Sequence, residues 1–253
     1  MGNAIDRINA KLPAEFQLDP SLEEIPSQKG ITTKMERKSL DADLLSADVS
    51  TAMKAHLQLV SVPGSGAWLH GFPSRAAKTL IDAPLFRIAI KRRLRMPILH
   101  EPCHCPSCGT GLDIYADHAL VCMCGGDRTL RHNALRDTAN WFAKTAGLNP
   151  VKEKAGLLPP RPDADSIREG LTTRGRRPAD IWLPQWLENG PAAWDFAVAS
   201  GLRADEIHAS AVGAGHCTVA YEEVKRQYLD TASQCAQQGL QFVLMVVEAH
   251  GGG

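Results

Sequence analysis

Apolar positions recur along this 253-residue chain in patterns that divide it into helices, strands and breaks. Residues 1 to 30 are polar and carry Pro13, Pro20 and Pro26, so a helix over AIDRINAKL gives way to a loose linker. Between residues 31 and 60, Leu40, Leu44, Leu45, Val49, Met53 and Leu57 fall at helix-like intervals, with Ser39 as an N-cap. VPGSG breaks that pattern. After GAWLHGFPSRA comes a helix over APLFRIAIKRRLRMPI, with Phe86, Ile88, Ile90 and Leu94 on its apolar side. Residues 131 to 146 read as an amphipathic helix. Leu135, Ala139, Phe142 and Ala146 form its buried stripe, Arg136, Asn140 and Lys144 lie opposite, and Gly147 stops it.

The second half reads differently. PVKEKAGL is a short strand, and residues 159 to 176 form a loop rich in Pro, Gly and Arg. Two apolar runs follow, Ala179 to Leu183 and Ala192 to Ala199, flanking the polar turn Glu188-Asn189-Gly190-Pro191. Asn-Gly between such runs signals a hairpin, because both residues tolerate positive φ. Residues 200 to 218 look irregular, and 219 to 238 form a helix ended by Gly239. Ala220, Val224, Thr231 and Cys235 lie along one face of it, and Tyr221, Lys225 and Tyr228 form an adjoining stripe. LQFVLMVVEA has the length and β-branched content of a buried strand, and three terminal glycines form a frayed end. From residue 131 the order is helix, three strands, helix, strand, which predicts an α/β sandwich around a small mixed sheet.

Charge adds a regional bias. Lys+Arg and Asp+Glu each total 28, so the chain as a whole offers nucleic acid no net attraction. From Arg75 to Arg177, however, 18 basic residues face 10 acidic ones. Within that stretch Lys91, Arg92, Arg93 and Arg95 form a basic knot. It suits either phosphate contact or simple placement at a helix C-terminus. No apolar run is long enough to span a membrane, and the N-terminus lacks the apolar core of a signal peptide and the pattern of a myristoylation signal. Seven cysteines without a secretion signal point to a reducing compartment, so the expected setting is intracellular, and nuclear in a eukaryote.

Two constellations carry chemistry. Five of the seven cysteines fall between Cys103 and Cys124. The best ligand set there is Cys105, Cys108, His118 and Cys122, spaced C-x2-C-x9-H-x3-C, with Cys103 and Cys124 as rivals or bystanders. Such spacing suits a tetrahedral zinc, and four protein ligands leave no open position, which argues for a structural ion. The loop has few apolar residues, so metal would set its shape. The second constellation is Asp180 and Asp195, one acid in each apolar run of the hairpin. A carboxylate there is costly to bury unless paired, hydrogen-bonded or bound to a cation, and two on adjacent strands can converge on one Mg²⁺. The plainer alternative is a strand cap at Asp180 and a wet face at Asp195.

In these features the C-terminal half resembles the restriction-like endonuclease domain of site-specific non-LTR retrotransposons, a branch of the PD-(D/E)XK nuclease superfamily. Cys105, Cys108, His118 and Cys122 match its zinc knuckle, and Arg131-His132-Asn133 matches its Arg-His element. Pro178-Ala179-Asp180 and Asp195, with fourteen residues between the acids, match its acidic pair. The helices before the knuckle look like the region that joins a reverse transcriptase to this domain. The resemblance implies a restriction-endonuclease-like core over residues 129 to 253, a linker helix and zinc knuckle over 67 to 128, and a helical N-terminal region over 1 to 66. A polymerase has no counterpart in this sequence, so the parent element would supply a reverse transcriptase in cis, and the chain reads as a fragment, a decayed copy or a standalone derivative. The usual D-x-K would place lysine where Ala197 stands. In the retroelement branch the lysine lies on the following helix, where Lys225 fits; by itself Lys225 reads as a solvated helix lysine.

The implied activity is Mg²⁺-dependent cleavage of DNA, with RNA as a second possible partner. Asp180 and Asp195 would hold Mg²⁺, and Lys225 would orient the attacking water or offset phosphate charge. Arg92, Arg93, Arg95 and Arg131, with the knuckle, would grip phosphates. The competing expectation is an inactive zinc-containing module that binds nucleic acid or protein.

Overall fold

The run Ala192–Ala199 is apolar on both faces except at Asp195, and it forms the strand around which the larger sheet is built. A computed structural model describes residues 4–19, 27–76, 79–159, 176–188 and 190–250. Among these are eight α-helices: α1 (Ala4–Asn9), α2 (Gln28–Leu45), α3 (Thr51–Ser61), α4 (Ala83–Arg93), α5 (Asp127–Thr145), α6 (Ile207–Val212), α7 (His216–Gln227) and α8 (Thr231–Gln237). The described strands are β1 (Cys103–His104), β2 (Gly111–Leu112), β3 (Val151–Lys152), β4 (Ile181–Leu183), β5 (Ala192–Ala199) and β6 (Gln241–Glu248). The architecture is mixed α/β with two sheets, and no helix of the described residues is long and apolar enough to cross a membrane. The proline-rich linker beyond Asp19, the loop from Pro160 to Gly175, Asn189 and the terminal glycines lie outside the described residues.

The larger sheet has the order β3-β4-β5-β6. β3 to β5 run antiparallel to their neighbours, while β6 is parallel to β5. A parallel return needs a crossover, and α6 to α8 supply it. Period-two alternation sorts β5 cleanly between layers. Ala192, Trp194 and Phe196 pack with Leu135, Ala139 and Ala143 of α5. Ala197 and Ala199 meet Ala55 and Leu59 of α3 and Cys217 of α7, and Ala193 meets Cys235 of α8. Gly201 lets α3 and α6 close over the end of β5. A Cβ there would lie 2.5 Å from Ser210 Oγ and 2.8 Å from a Leu59 methyl.

Several expected elements differ in detail. The single helix over residues 31 to 60 is two helices, and Ser39 lies inside the first. Ser46 Oγ accepts from Asp48 N and Ser50 Oγ from Met53 N, so short side chains satisfy the backbone where the helix breaks. The helix expected from Ala83 to Ile98 ends at Arg93 and buries none of its residues. The buried face of α5 is rotated from the expected stripe: Asn140 and Ala143 are buried, while Phe142 is 61% exposed. The hairpin forms with an eight-residue connection between Leu183 and Ala192, in which Leu187 and Gly190 take positive φ. Residues 200 to 218 contain α6, and the helix expected over 219 to 238 is two. Asp230 at φ 54° re-phases the second, so Thr231 and Cys235 are buried while Val224 points outward.

A buried polar seam ties α3 and α4 to the sheet. His56 is 2% exposed and donates from Nε2 to the Arg93 carbonyl at 3.0 Å. Its ring meets His250 edge-on, with centroids 5.3 Å apart. Glu248, at the end of β6, accepts from Gly201 N at 3.2 Å and from His250 N. Burial first, then the nearby His250, lowers the His56 pKa from 6.5 to about 4. A depressed histidine pKa means the folded state resists a proton that the unfolded chain accepts. Stability is therefore full above pH 6.5 and is lost as pH falls from 6.5 towards 4. The whole loss is about 3 kcal/mol. Thermal melts between pH 7 and 4 should show this slope, and His56→Gln, which keeps a donor but cannot titrate, should flatten it. An unchanged slope in the variant would assign the pH dependence to other groups.

Candidate active site and metal centre

The cysteine-rich segment folds around backbone turns rather than a core. β1 and β2 pair with Cys103 opposite Leu112, Cys105 N donates to Thr110 O at 2.7 Å, and Gly109 closes the turn at φ 75°. A 3-10 turn over Asp117–Leu120 then carries His118 back towards the hairpin. Its apolar filling is small: Leu112, Ala116 and part of Leu99 beside the buried Cys105 and Cys122. Ligand atoms of Cys105, Cys108, His118 and Cys122 all lie within 4.8 Å of one another. Cys103 and Cys124 are exposed and outside this set.

Three thiol groups and an imidazole are the donor set of a soft, tetrahedral ion, and this cluster can hold a metal such as zinc. The Cys105 and Cys122 sulfurs are 3.8 Å apart. A tetrahedron with Zn–S bonds of about 2.3 Å has an edge of about 3.8 Å. Cys108 and His118 approach to 3.0 Å, a hydrogen-bond distance that a shared ion would widen. Hydrogen bonding to Thr110 holds the Cys108 thiol down to about 6, so its ligating thiolate form is favoured.

The four arginines expected to grip phosphates are turned into the protein. Arg95 makes two hydrogen bonds of 2.7 Å to the Asp117 carboxylate, stacks over Tyr115 and is 8% exposed. Arg92 donates to Ala116 O, and burial lowers its pKa. Arg93 donates to Ser65 O at 3.1 Å, and Arg131 reaches Leu120 O. Each cation thus fastens a loop to the end of α4 or the start of α5. Their geometry is that of buried linkages, with bonds that a phosphate would have to displace.

The acidic pair is brought together. In the β4–β5 register Ile181 faces Trp194, and Asp180 lies one residue before β4, outside the paired strand. Asp180 N donates to Trp194 O at 2.9 Å, one residue out of the β4–β5 register, so the pairing is offset there. Asp180 Oδ2 accepts from Phe196 N at 2.8 Å, and Oδ1 accepts from His132 Nε2 at 3.1 Å. Lys225 Nζ, from α7, lies 2.9 Å from Asp195 Oδ2. Burial, offset in part by Lys225 and reinforced by Asp180, raises the Asp195 pKa. Burial opposes the Lys225 ammonium, but Asp195, Tyr221 and Asp180 together hold its pKa above the usual value. Asp137 and Glu153, the other acids nearby in sequence, are ion-paired with Arg136, Lys152 and Arg177 instead. The acidic pair is not part of any cluster of three His, Cys, Asp or Glu ligands among the described residues.

A cleft of about 390 Å³ opens beside these groups. Met123, Arg128, His132, Phe196, Tyr221 and Lys225 are among its lining residues. His132 is the side chain at this site to which the sequence reading gave no role. Its signal was weak: the Arg-His pair was visible, but not its alignment with the hairpin, which depends on how α5 lies over β5. No protein-family model matches the chain, and no curated protein and no solved structure matches it.

Two outcomes are expected. Metal analysis of the purified protein should give about one zinc per chain, and Cys108→Ser should lose it and loosen residues 100 to 128 towards proteolysis. A metal-free preparation in which that segment resists protease would refute the zinc site. Arg95→Ala should destabilise the fold by about 3 kcal/mol, because the largely covered Asp117 is left without its partner. Chemical denaturation would measure this, and a loss under half that size would mean the pair is dispensable.

Proposed function

We propose that this chain is a Mg²⁺-dependent DNA endonuclease with a restriction-endonuclease-like core and a structural zinc knuckle. The observation that carries the reading is the nearness of Asp180, just before β4, to Asp195 of β5, with Lys225 2.9 Å from Asp195. Three strands in antiparallel pairing, a helical crossover and a parallel fourth strand, with a helix over one face, support the core assignment. The two carboxylates offer the hard oxygen donors that Mg²⁺ takes. Bound there, Mg²⁺ would polarise the scissile phosphate and lower the pKa of a water.

The protein's own groups supply the rest. Phe196 N and His132 fix the Asp180 carboxylate, and Lys225 lies against Asp195 at the cleft wall. Because the Lys225 pKa is raised, its amine stays protonated at neutral pH and is a poor general base. It fits instead as a fixed positive charge for the phosphoryl oxygens, which gather negative charge in the transition state. Arg128, exposed at the cleft, fits a phosphate beside the cut. The knuckle has all four ligand positions filled by protein, which suits a structural ion. DNA is the favoured substrate, with RNA as an alternative strand and a reverse transcriptase of the parent element as a partner in cis.

A second reading, an inactive module that binds nucleic acid or protein, draws support from Ala197 in the usual lysine place and from the inward-turned arginines. Plasmid nicking with Mg²⁺ or Mn²⁺ and a chelator control separates the two. Asp180→Ala and Asp195→Ala should abolish metal-dependent nicking while leaving the fold intact. Lys225→Ala should slow it by about 10²- to 10³-fold, the range for loss of one electrostatic stabiliser. Equal nicking by wild type and Asp180→Ala would expose contamination, and no nicking with either metal would favour the inactive module.

A further inference from the structure

We infer that His132 is the positioning residue of this site: its Nε2–H fixes the Asp180 carboxylate in the orientation that binds a divalent cation. The inference rests on the endonuclease reading and adds to it a residue with a defined task. A carboxylate only accepts, so the proton in the 3.1 Å contact belongs to His132 Nε2. The other oxygen, Oδ2, accepts from Phe196 N at 2.8 Å. Asp180 is thus held by one donor on each oxygen, one from α5 and one from β5. A carboxylate on a single Cβ–Cγ bond turns freely unless both oxygens are fixed. With both fixed, one lone pair on each oxygen remains, and its direction is set by the protein.

Asp195 is held differently. Its described partner is the Lys225 ammonium on Oδ2, a charge on a flexible stem. The two acids therefore divide the work: Asp195 is charge-compensated, and Asp180 is oriented. His132 is suited to orienting because its own place is constrained. It sits on α5 one turn before Leu135, which packs against β5 with Ala139 and Ala143. Its side chain is 31% exposed and borders the cleft, whereas Asp180 is 13% exposed. The imidazole thus stands between solvent and one edge of the carboxylate. Outer partners of this kind are worth about 10- to 100-fold in metal affinity.

The test compares purified wild type with His132→Phe, which keeps the bulk but not the donor, and His132→Gln, whose amide can reach the same oxygen. Mn²⁺ binding followed by electron paramagnetic resonance reads the site without any need for turnover. His132→Phe should bind Mn²⁺ about 10- to 100-fold more weakly and need correspondingly more Mg²⁺ for half-maximal nicking, with an unchanged rate at saturation. His132→Gln should restore both to near wild type. If wild type binds Mn²⁺ and nicks, but His132→Phe binds equally well, the positioning role is overturned and the endonuclease reading stands. If wild type neither binds Mn²⁺ nor nicks, both fall together. Should His132→Phe fail to fold, His132→Asn replaces it: its shorter amide cannot reach Asp180, so equal Mn²⁺ binding by the Gln and Asn variants would overturn the inference.

Discussion

The site depends on a short piece of backbone pairing. Asp180 lies one residue before β4, yet it is bonded to β5 twice, through its own N–H to Trp194 O and through Oδ2 from Phe196 N. Those two partners flank Asp195. The pairing therefore holds the backbone of Asp180 beside that of Asp195. A slip of one residue would move every side chain of β5 to the other face. Trp194 and Phe196 would leave α5, and Asp195 would turn away from Lys225. The packing of bulky residues against α5 and the placement of the acids are thus one constraint, because the same alternation serves both.

The same logic extends outward through α5. Its first turn is joined to the cysteine-rich segment by Arg131 on Leu120 O, and the next residue, His132, reaches Asp180. Adjacent residues on one helix therefore touch the cysteine-rich segment and Asp180. Arg92 and Arg95 tie the end of α4 to Ala116 and Asp117 in the same segment. With so few apolar side chains of its own, the segment needs these cations as well as its ligands to hold one shape. Basic residues that look like a nucleic-acid surface along the chain become, in three dimensions, the fastenings of a small module with little core.

What could be read from sequence follows from how locally each feature is determined. The cysteine set was legible because spacing alone limits which side chains can meet one ion. The acids were legible because charge inside an apolar run is costly without a partner. The strand order was legible from apolar runs punctuated by Pro and Gly. The face of α5 was not, because Ala139 belongs to either stripe and only contact with β5 selects Ala143 over Phe142. The break at Ser46 to Ser50 was masked by apolar residues that keep helical spacing on both sides of it. Nor does sequence distinguish an arginine facing solvent from one like Arg93, whose partner Ser65 lies 28 residues away.

The charge balance of the acidic pair bears on which reading the geometry favours. Two neighbouring carboxylates repel one another, and Asp180 is among the charges that raise the Asp195 pKa. Lys225 offsets one of them, and His132 can satisfy Asp180 as a neutral donor. One negative charge then remains beside the cleft that His132 and Lys225 line. A site built only to hold the sheet together would gain from removing one acid, since a single Asp–Lys pair needs no second carboxylate. Burial that raises the Asp195 pKa points the same way, because it marks a charge held at a cost to the fold. In the proposed function a divalent cation would offset that residual charge, with Asp180 and Asp195 as its carboxylate donors and Lys225 beside them. A carboxylate pair that is costly as scaffolding and suited to a cation supports the proposed chemistry more than the identity of any one residue does.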